Sequence, residues 1–141
     1  MKVRNLLLGI AAVGMLATTG FALADDELGG AVKTTTLNGK ANGLTDAKGM
    51  TLYTYDTDTA GVSNCYDKCA VAWPPLWVPA STAVTGDWTL IDRKDATGPA
   101  AGMKQVAYKG MPLYTWFKDK APGDITGDNV GKVWHIAYDA N

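Results

Sequence analysis

The sequence predicts a mainly β protein: a single small domain of two related β units, with one short helix around Cys65–Trp73. Long helical periodicity is absent, short apolar runs alternate with clusters of Gly, Asn, Asp and Pro, and one stretch of the chain occurs twice. Short interrupted runs of this kind are typical of strands joined by turns. A repeat at a fixed offset indicates that one structural unit is used twice.

The repeated stretch is residues 48–73, which recurs without a gap 61 positions later as residues 109–134. Both copies contain the core G-M-x-L-Y-x-(Y/W)-x-x-D. The Gly predicts a turn that leads into a strand. The Asp of each copy, Asp58 or Asp119, follows the predicted strand, where a short carboxylate can accept hydrogen bonds from nearby backbone N–H groups.

Aromatic side chains recur at matching positions of the two copies. Because side chains alternate between the faces of a strand, Tyr53 and Tyr55 are expected on one face, as are Tyr114 and Trp116. These rings either form a shared core around a pseudo-twofold axis or place one ring of each pair in a groove for a ligand or partner. The repeat-related aromatic residues, our candidate binding surface, are Tyr53, Tyr55, Trp73, Tyr114, Trp116 and Trp134.

The N-terminus has the pattern of a secretory signal peptide, residues 1–24. Lys2 and Arg4 precede an apolar run at residues 6–16, and Ala22-Leu23-Ala24 is an A-x-A cleavage site. We therefore expect cleavage after Ala24, no membrane span in the mature chain, and a periplasmic or secreted location.

The predicted mature chain, residues 25–141, is long enough for one domain. Without Lys2 and Arg4 it carries 11 basic and 14 acidic side chains, a net charge of −3. This mildly acidic balance argues against nucleic acid as a partner.

The first elements of the mature chain are strands joined by turns. Val and Thr predict a strand at residues 31–37, within an N-terminal segment at 25–42. Asn38-Gly39 and Asn42-Gly43 are both predicted turns. The first aromatic strand is expected at residues 50–56.

A short helix is expected next, at residues 63–73, with Ser63 as its cap and Pro74-Pro75 as its end. Trp88 and Leu90 predict a strand that ends near Arg93. The remaining strands are expected as a hairpin at residues 105–108 and 112–117 with a Lys109-Gly110 turn, and a closing strand at residues 132–138.

Cys65 and Cys69 are the only cysteines. In an oxidising compartment two nearby thiols favour a structural disulfide. A redox-active pair is the alternative, although the spacing is C-x-x-x-C and not C-x-x-C. Covalent haem attachment requires a His directly after the second Cys, where this chain has Ala70.

His135 is the only histidine, and one His cannot supply the ligands of a zinc site. It is expected to be a structural strand residue. The alternative is an axial ligand to haem or copper, with Met50, Met103 or Met111 as a thioether partner. No cofactor is expected on the first interpretation.

No catalytic motif is present: the chain lacks a G-x-S-x-G elbow, an H-E-x-x-H pair and a phosphate-binding loop. We therefore do not expect an enzyme.

Several motifs follow one another in an order that resembles the bacterial secreted-repeat family of predicted lipoproteins. They are Y-x-(F/W/Y)-x-x-D used twice, C-x-x-x-C-A-x-x-W-P-P-L at residues 65–76, Q-V-x-Y-x-G-x-P-L-Y at 105–114, P-G-D at 122–124 and W-H at 134–135. The resemblance implies an envelope-facing, mostly β domain at residues 43–141, with repeat units near 43–80 and 104–139. It also implies an association with electron-transfer proteins. The residue directly after the cleavage site is Asp25 and not Cys, so lipid attachment is not expected.

The predicted function is a non-catalytic envelope protein that binds a partner or a small ligand, with an envelope or electron-transfer protein as the partner class. The first alternative is a redox or metal/haem-binding periplasmic protein. The second is a structural or stress-protective envelope protein.

Overall fold

The structure is a computed structural model that describes residue 14 and residues 26–140. Apart from Gly14, the predicted signal peptide lies outside the described residues. The prediction of a mainly β protein with one short helix is confirmed. The elements are β1 (Asp26–Glu27), β2 (Val32–Leu37), β3 (Lys40–Asp46), β4 (Tyr53–Tyr55), α1 (Lys68–Ala72), β5 (Trp77–Pro79), β6 (Trp88–Ile91), β7 (Met103–Tyr108), β8 (Met111–Pro112) and β9 (Trp134–Ile136).

The strands form three antiparallel groups. One sheet has the order β1-β2-β3, and a second has the order β5-β7-β6 with β8 paired to β7. Between them, β4 pairs with β9 as a two-stranded ribbon. The predicted β7–β8 hairpin and its Lys109-Gly110 turn are confirmed, with positive φ angles of 48° and 80° at the two turn residues.

Each repeat unit pairs its aromatic strand with the closing segment of the other unit. Tyr53 of the first unit is paired with Ile136 of the second. Tyr114 of the second unit is bridged in the same way to Pro75 of the first. Because Pro75 and Ile136 are also 61 positions apart, the two pairings are equivalent, and the units are interlocked.

Tyr53 and Tyr114 meet at the local twofold axis. The Tyr53 N–H donates to the Tyr114 carbonyl at 2.8 Å, and the Tyr114 N–H donates to the Tyr53 carbonyl at 3.0 Å. Two residues that exchange both backbone hydrogen bonds are a directly opposed antiparallel pair. The predicted internal duplication is therefore a real symmetry of the fold.

The aromatic strands separate two cores, because successive side chains point to opposite faces. Leu52 and Leu113 enter what we call the aliphatic core, whereas Tyr53 and Tyr114 enter what we call the aromatic core. The buried residues of the aliphatic core are Val32, Leu44, Leu52, Leu76, Val78, Trp88, Val106, Tyr108, Leu113 and Ala137. Those of the aromatic core are Leu37, Tyr53, Cys65, Trp73, Tyr114, Trp134 and Ile136.

The glycine shared by both copies is needed for two reasons. Gly49 and Gly110 have φ angles of 84° and 80°, which residues with a Cβ rarely adopt. A Cβ on Gly49 would also lie 3.0 Å from Pro122, and one on Gly110 would lie 3.1 Å from Ala60. Each glycine therefore packs against a loop of the opposite unit.

The predicted turn at Asn42-Gly43 is wrong, since both residues lie inside β3. Asn42 has a φ of 63°, and the β2–β3 register shifts between Thr35 and Leu37. A Cβ on Gly43 would lie 2.6 Å from the Leu37 side chain. Gly43 therefore allows close packing against Leu37 within an irregular strand, and it does not form a turn.

The helix is shorter than predicted, and Ser63 does not cap it. It begins at Lys68, and no side chain caps its N-terminus. The Ser63 hydroxyl instead bonds Tyr114 and accepts from Arg93. The aromatic and closing strands are also shorter than predicted, because Thr51, Tyr114 and Tyr138 form only isolated bridges and do not extend the ladders.

Candidate functional site

Four aromatic rings lie against one another in the order Tyr55, Trp134, Trp73, Trp116, with the first three stacked face to face and Trp116 tilted, and we call them the aromatic column. Successive ring centroids are 4.2, 3.8 and 4.0 Å apart, and the interplanar angles are 8°, 4° and 31°. The central Trp134–Trp73 pair joins repeat-related residues, so the local twofold relates one half of the column to the other. Contacts of this length are direct ring-to-ring stacking.

The interlocked pairing produces the column. In the β4–β9 register Tyr55 lies opposite Trp134, so their side chains share one face. On the other side, the Phe117 N–H donates to the carbonyl of Ala72 at 3.0 Å, which brings Trp116 beside Trp73. Each stacked outer pair therefore joins residues from different units.

Burial divides the candidate residues into two groups. Tyr53, Tyr114, Trp73 and Trp134 are buried, with 0%, 0%, 4% and 5% of their surface exposed. Tyr55 and Trp116, the ends of the column, are half-buried. One ring of each strand therefore belongs to the core and the other reaches the surface. Whether the outer rings bind a partner stays a prediction.

Beside the column, each buried tyrosine donates to the aspartate of the opposite repeat. The Tyr53 hydroxyl donates to Asp119 Oδ2 at 2.6 Å, and the Tyr114 hydroxyl donates to Asp58 Oδ2 at 2.6 Å. These reciprocal bonds explain why the repeat requires both a Tyr and an Asp five positions later. Burial is the main reason that the pKa values of both tyrosines are raised, and it also raises the pKa of the Asp58 carboxyl.

The predicted role of the repeat aspartates as acceptors for nearby backbone is also observed. Asp58 Oδ1 accepts from the Asn64 N–H at 2.6 Å, and Asp119 Oδ1 accepts from the Thr126 N–H at 2.9 Å. Each carboxylate thus holds its own loop with one oxygen and the opposite tyrosine with the other.

Sequence reasoning missed the most connected polar residue, Arg93. Its guanidinium is fully buried, and it donates to Ser63 Oγ at 2.5 Å, to Gln105 Oε1 at 3.0 Å and to the Cys65 carbonyl at 2.6 Å. It also forms two hydrogen bonds with Asp95. No local signal could have found this site, because the partners lie up to 30 positions away along the chain.

Acid should weaken the Arg93–Asp95 pair. The hydrogen bond from Arg93 holds the pKa of Asp95 below its ordinary value of 3.8. A lowered folded-state pKa stabilises the fold above the unfolded value, and this contribution is lost as pH falls through the folded value. The difference in unfolding free energy between wild type and Asp95→Asn is therefore expected to shrink between about pH 6 and about pH 3 in urea titrations. A free-energy difference that stays constant over this pH range would contradict a lowered pKa of Asp95 in the folded protein.

The predicted disulfide is confirmed: Cys65 and Cys69 are bonded, and the described residues contain no free cysteine. Cys65 is fully buried in the aromatic core, and its carbonyl accepts from Arg93. The bridge therefore joins α1 to both the column and the Arg93 network.

Removing the bridge in Cys65→Ala/Cys69→Ala is expected to lower the free energy of unfolding by about 2 kcal/mol, because the closed loop is short. Urea unfolding measures the loss. In the wild type neither Cys65 nor Cys69 should react with an alkylating reagent unless a reductant is added. A variant as stable as the wild type would show that the bridge adds nothing to the fold.

The two ends of the column differ in chemistry although the local twofold relates them. The apolar end consists of Val71, Ala72, Trp116 and Phe117. Val71 is 76% exposed and Phe117 is 48% exposed, and the Phe117 ring contacts Trp116 at 4.9 Å. Two of the three exposed large hydrophobic residues among those described therefore lie at this end.

The polar end has charged residues at the matching positions. Lys132 corresponds to Val71, and Asp56 corresponds to Phe117. The Asp56 N–H donates to the Val133 carbonyl at 2.8 Å, and the Phe117 N–H donates in the same way to the Ala72 carbonyl. The backbone differs at the other pair, since Val71 lies in α1 whereas Lys132 has a left-handed φ of 62°. One equivalent hydrogen bond thus carries an apolar side chain at one end of the column and a charged side chain at the other.

The candidate metal ligands lie in ordinary structural surroundings. His135 Nε2 is hydrogen-bonded to Asp56 Oδ2 at 2.8 Å, on the partly exposed side of the β4–β9 ribbon. Met50 and Met111 occupy repeat-related positions just after Gly49 and Gly110. No group of three or more His, Cys, Asp or Glu side chains within the described part of the chain could hold a metal ion. The haem or copper interpretation stays a prediction.

A groove of about 380 Å³ lies beside β2, away from the predicted site residues. Its lining comes from Lys33–Leu37 together with Thr45, Gly49, Pro122 and Gly123. None of the candidate binding residues lines it.

Fold and site together define a disulfide-bonded β domain of two interlocked repeats around an aromatic column. The sequence family described as a secreted repeat of unknown function matches the chain twice, at residues 35–77 and 96–138. These matches cover more than half of the chain, which therefore belongs to this family, as the ordered motifs predicted. No curated protein and no solved structure matches the chain.

Membership indicates an exported protein with an extracellular or periplasmic location. In the part of the chain that the structure describes, no helix has the length and apolar character needed to cross a membrane. Signal cleavage after Ala24 and the unit boundaries at 43–80 and 104–139 stay predictions.

Proposed function

We propose that this exported protein is a non-catalytic binding module that docks onto an envelope protein through the apolar end of the aromatic column. The difference between the two symmetry-related ends carries the proposal. Exposed apolar residues are easily explained when they lie singly, but an adjoining set is typical of an interaction surface. At the polar end Asp56 makes the same backbone hydrogen bond as Phe117, so the fold does not require an apolar side chain at the Phe117 position.

The charge around the apolar end indicates the chemistry of the partner. The ammonium of Lys118 lies 5.6 Å from the centroid of the Phe117 ring, and the ammonium of Lys120 donates to the Phe117 carbonyl. The matching positions at the polar end are Thr57 and Thr59. The partner surface is therefore an apolar patch with carboxylates at its rim, since complementary charges favour encounter and orientation.

Among envelope proteins, we propose an electron-transfer protein as the partner. The family resemblance supports this class of partner, and the apolar end supports the docking geometry. The protein itself contributes a rigid aromatic surface, with Trp116 backed by the buried Trp73. Aromatic side chains anchored in this way are frequent hot spots of binding.

Zero-length carbodiimide cross-linking in intact cells tests the proposal, because it joins lysines to carboxylates in direct contact. We expect peptides that link Lys118 or Lys120 to Asp or Glu of an electron-transfer protein. The matched variant Val71→Lys/Phe117→Asp, which copies the polar end, should lose these links. The control variant Asp56→Ala/Lys132→Ala should keep them.

Two outcomes would contradict the proposal. Links that persist in Val71→Lys/Phe117→Asp would show that the apolar end is not the docking surface. Links from this surface to a protein of another class would overturn the electron-transfer partner.

A further inference from the structure

Six oxidisable side chains of the aromatic core and its edge are in mutual contact. The four-ring column runs from one surface to the other, with a half-buried ring at each end. Each buried tyrosine touches a central indole edge-on, Tyr53 on Trp73 at 5.4 Å and Tyr114 on Trp134 at 5.2 Å. The rings therefore form one connected set of electron-rich groups.

Each buried tyrosine also has a proton acceptor in place. The hydroxyl groups of Tyr53 and Tyr114 lie 2.6 Å from carboxylate oxygens of Asp119 and Asp58. A phenol that loses an electron becomes strongly acidic and gives up its proton to such an acceptor. The carboxylates are themselves buried, at 6% and 5% exposure, so the proton would be held away from bulk water.

We propose that the aromatic core is a sink for one-electron oxidation, in which an electron vacancy formed at an end of the column moves along the stacked rings and settles on Tyr53 or Tyr114. The co-reactant is an oxidising radical that reaches the outer ring from solvent. This activity is independent of the docking role proposed above.

The overall reaction transfers one electron to the oxidising radical and one proton from Tyr53 to Asp119. The oxidising radical takes one electron from Trp116 and becomes its reduced anion, leaving an indole radical cation. Tyr53 then supplies one electron to the column through Trp73, and all indoles return to their neutral form. The Tyr53 O–H bond breaks, its proton moves to Asp119, and the products are a neutral phenoxyl radical and a carboxylic acid.

The outer indole is suited to passing the vacancy inward. The Trp116 Nε1–H is buried and has no hydrogen-bond partner among the residues described. An indole radical cation is normally trapped when this proton leaves. Without an acceptor the proton stays, and the vacancy remains free to move to Trp73, whose ring centroid is 4.0 Å away.

Photo-oxidation of the purified protein tests the proposal. Tris(bipyridine)ruthenium with persulfate generates the one-electron oxidant, and electron paramagnetic resonance follows the radicals. We expect a long-lived tyrosyl signal in the wild type, because the radical is buried. Tyr53→Phe/Tyr114→Phe should lose the long-lived fraction and leave only short-lived signals from exposed rings.

Tyr108 provides a matched control. It is a buried tyrosine that donates to the carboxylate of Asp139 at 2.5 Å, but its ring contacts Trp88 in the aliphatic core. Tyr108→Phe should therefore keep the long-lived signal. Trp73→Phe retains a ring for packing but removes an oxidisable indole, so the signal should fall in that variant and vanish when Tyr114→Phe is added.

Each variant must be folded before its signal is compared with that of the wild type. Circular dichroism and an intact disulfide show that it is. If the double tyrosine variant does not fold, Tyr53→Phe and Tyr114→Phe should each remove part of the long-lived signal. An unchanged signal in the tyrosine variants, or its loss in Tyr108→Phe, would overturn the proposal.

Discussion

Replacing Trp73 by alanine is expected to lower the free energy of unfolding by about 3 to 5 kcal/mol, the cost typical of removing a buried aromatic ring. Trp73 contacts three other rings, Tyr53, Trp116 and Trp134, as many as its repeat partner Trp134 does. Its loss opens a cavity where the two units meet. Urea unfolding followed by circular dichroism measures the change.

Trp116 is the internal comparison for this prediction. It is half-buried at the end of the column, so Trp116→Ala should cost less than Trp73→Ala. A double-mutant cycle between Trp73 and Trp134 should give a coupling of about 0.5 to 1.5 kcal/mol, as is usual for stacked aromatic pairs. If the two alanine variants lost equal free energy of unfolding, the centre of the column would not be more important for stability than its ends, and the prediction would be wrong.

Replacing Arg93 by methionine is expected to lower the free energy of unfolding by about 2 to 6 kcal/mol, because two buried acceptors lose their donor at a cost of about 1 to 3 kcal/mol each. Gln105 and the Cys65 carbonyl would each lose a buried donor. Asp95 loses less, since its side chain is 33% exposed and water can replace the guanidinium. Urea titration at neutral pH is the measurement.

Two control variants sharpen this prediction. Arg93→Lys keeps the charge but cannot reproduce the planar guanidinium contacts, so it should also destabilise the fold. Lys104→Met removes a more exposed ion pair with Asp92 and should cost about 0 to 1 kcal/mol. A loss at Arg93 no larger than that at Lys104 would show that the buried network does not stabilise the protein.

Local sequence signals were sufficient for several features. Alternation along the first aromatic strand placed Tyr53 and Tyr55 on one face, and both pack in the aromatic core. Two nearby cysteines predicted the disulfide, and Lys109-Gly110 predicted a hairpin turn. Each of these depends on neighbours within a few positions along the chain, where side-chain periodicity and turn chemistry dominate.

Other local signals failed because distant residues decided the outcome. Ser63 resembles a helix cap, but Arg93 and Tyr114 compete for its hydroxyl. Asn42-Gly43 resembles a turn, but the chain continues as β3 because only glycine fits beside Leu37.

For the candidate site, the repeat identified the aromatic residues but not their roles. It could not distinguish the buried Trp73 and Trp134 from the outer Tyr55 and Trp116, since all belong to the same pattern. It also could not show which side chains lie on the surface beside the outer rings. Only the interlocked pairing of the units sets the order of the rings.

The sequence by itself determined that this protein is a duplicated, disulfide-bonded, mainly β member of a secreted-repeat family. The tertiary structure alone decided that the two copies exchange their closing segments. A repeat has the same sequence signature whether its units lie side by side or interlock, because that choice depends on contacts between residues far apart along the chain, such as Tyr53 with Asp119 and Tyr53 with Ile136. Hydrogen bonds and ring stacking between the units, and not local propensity, select the interlocked form.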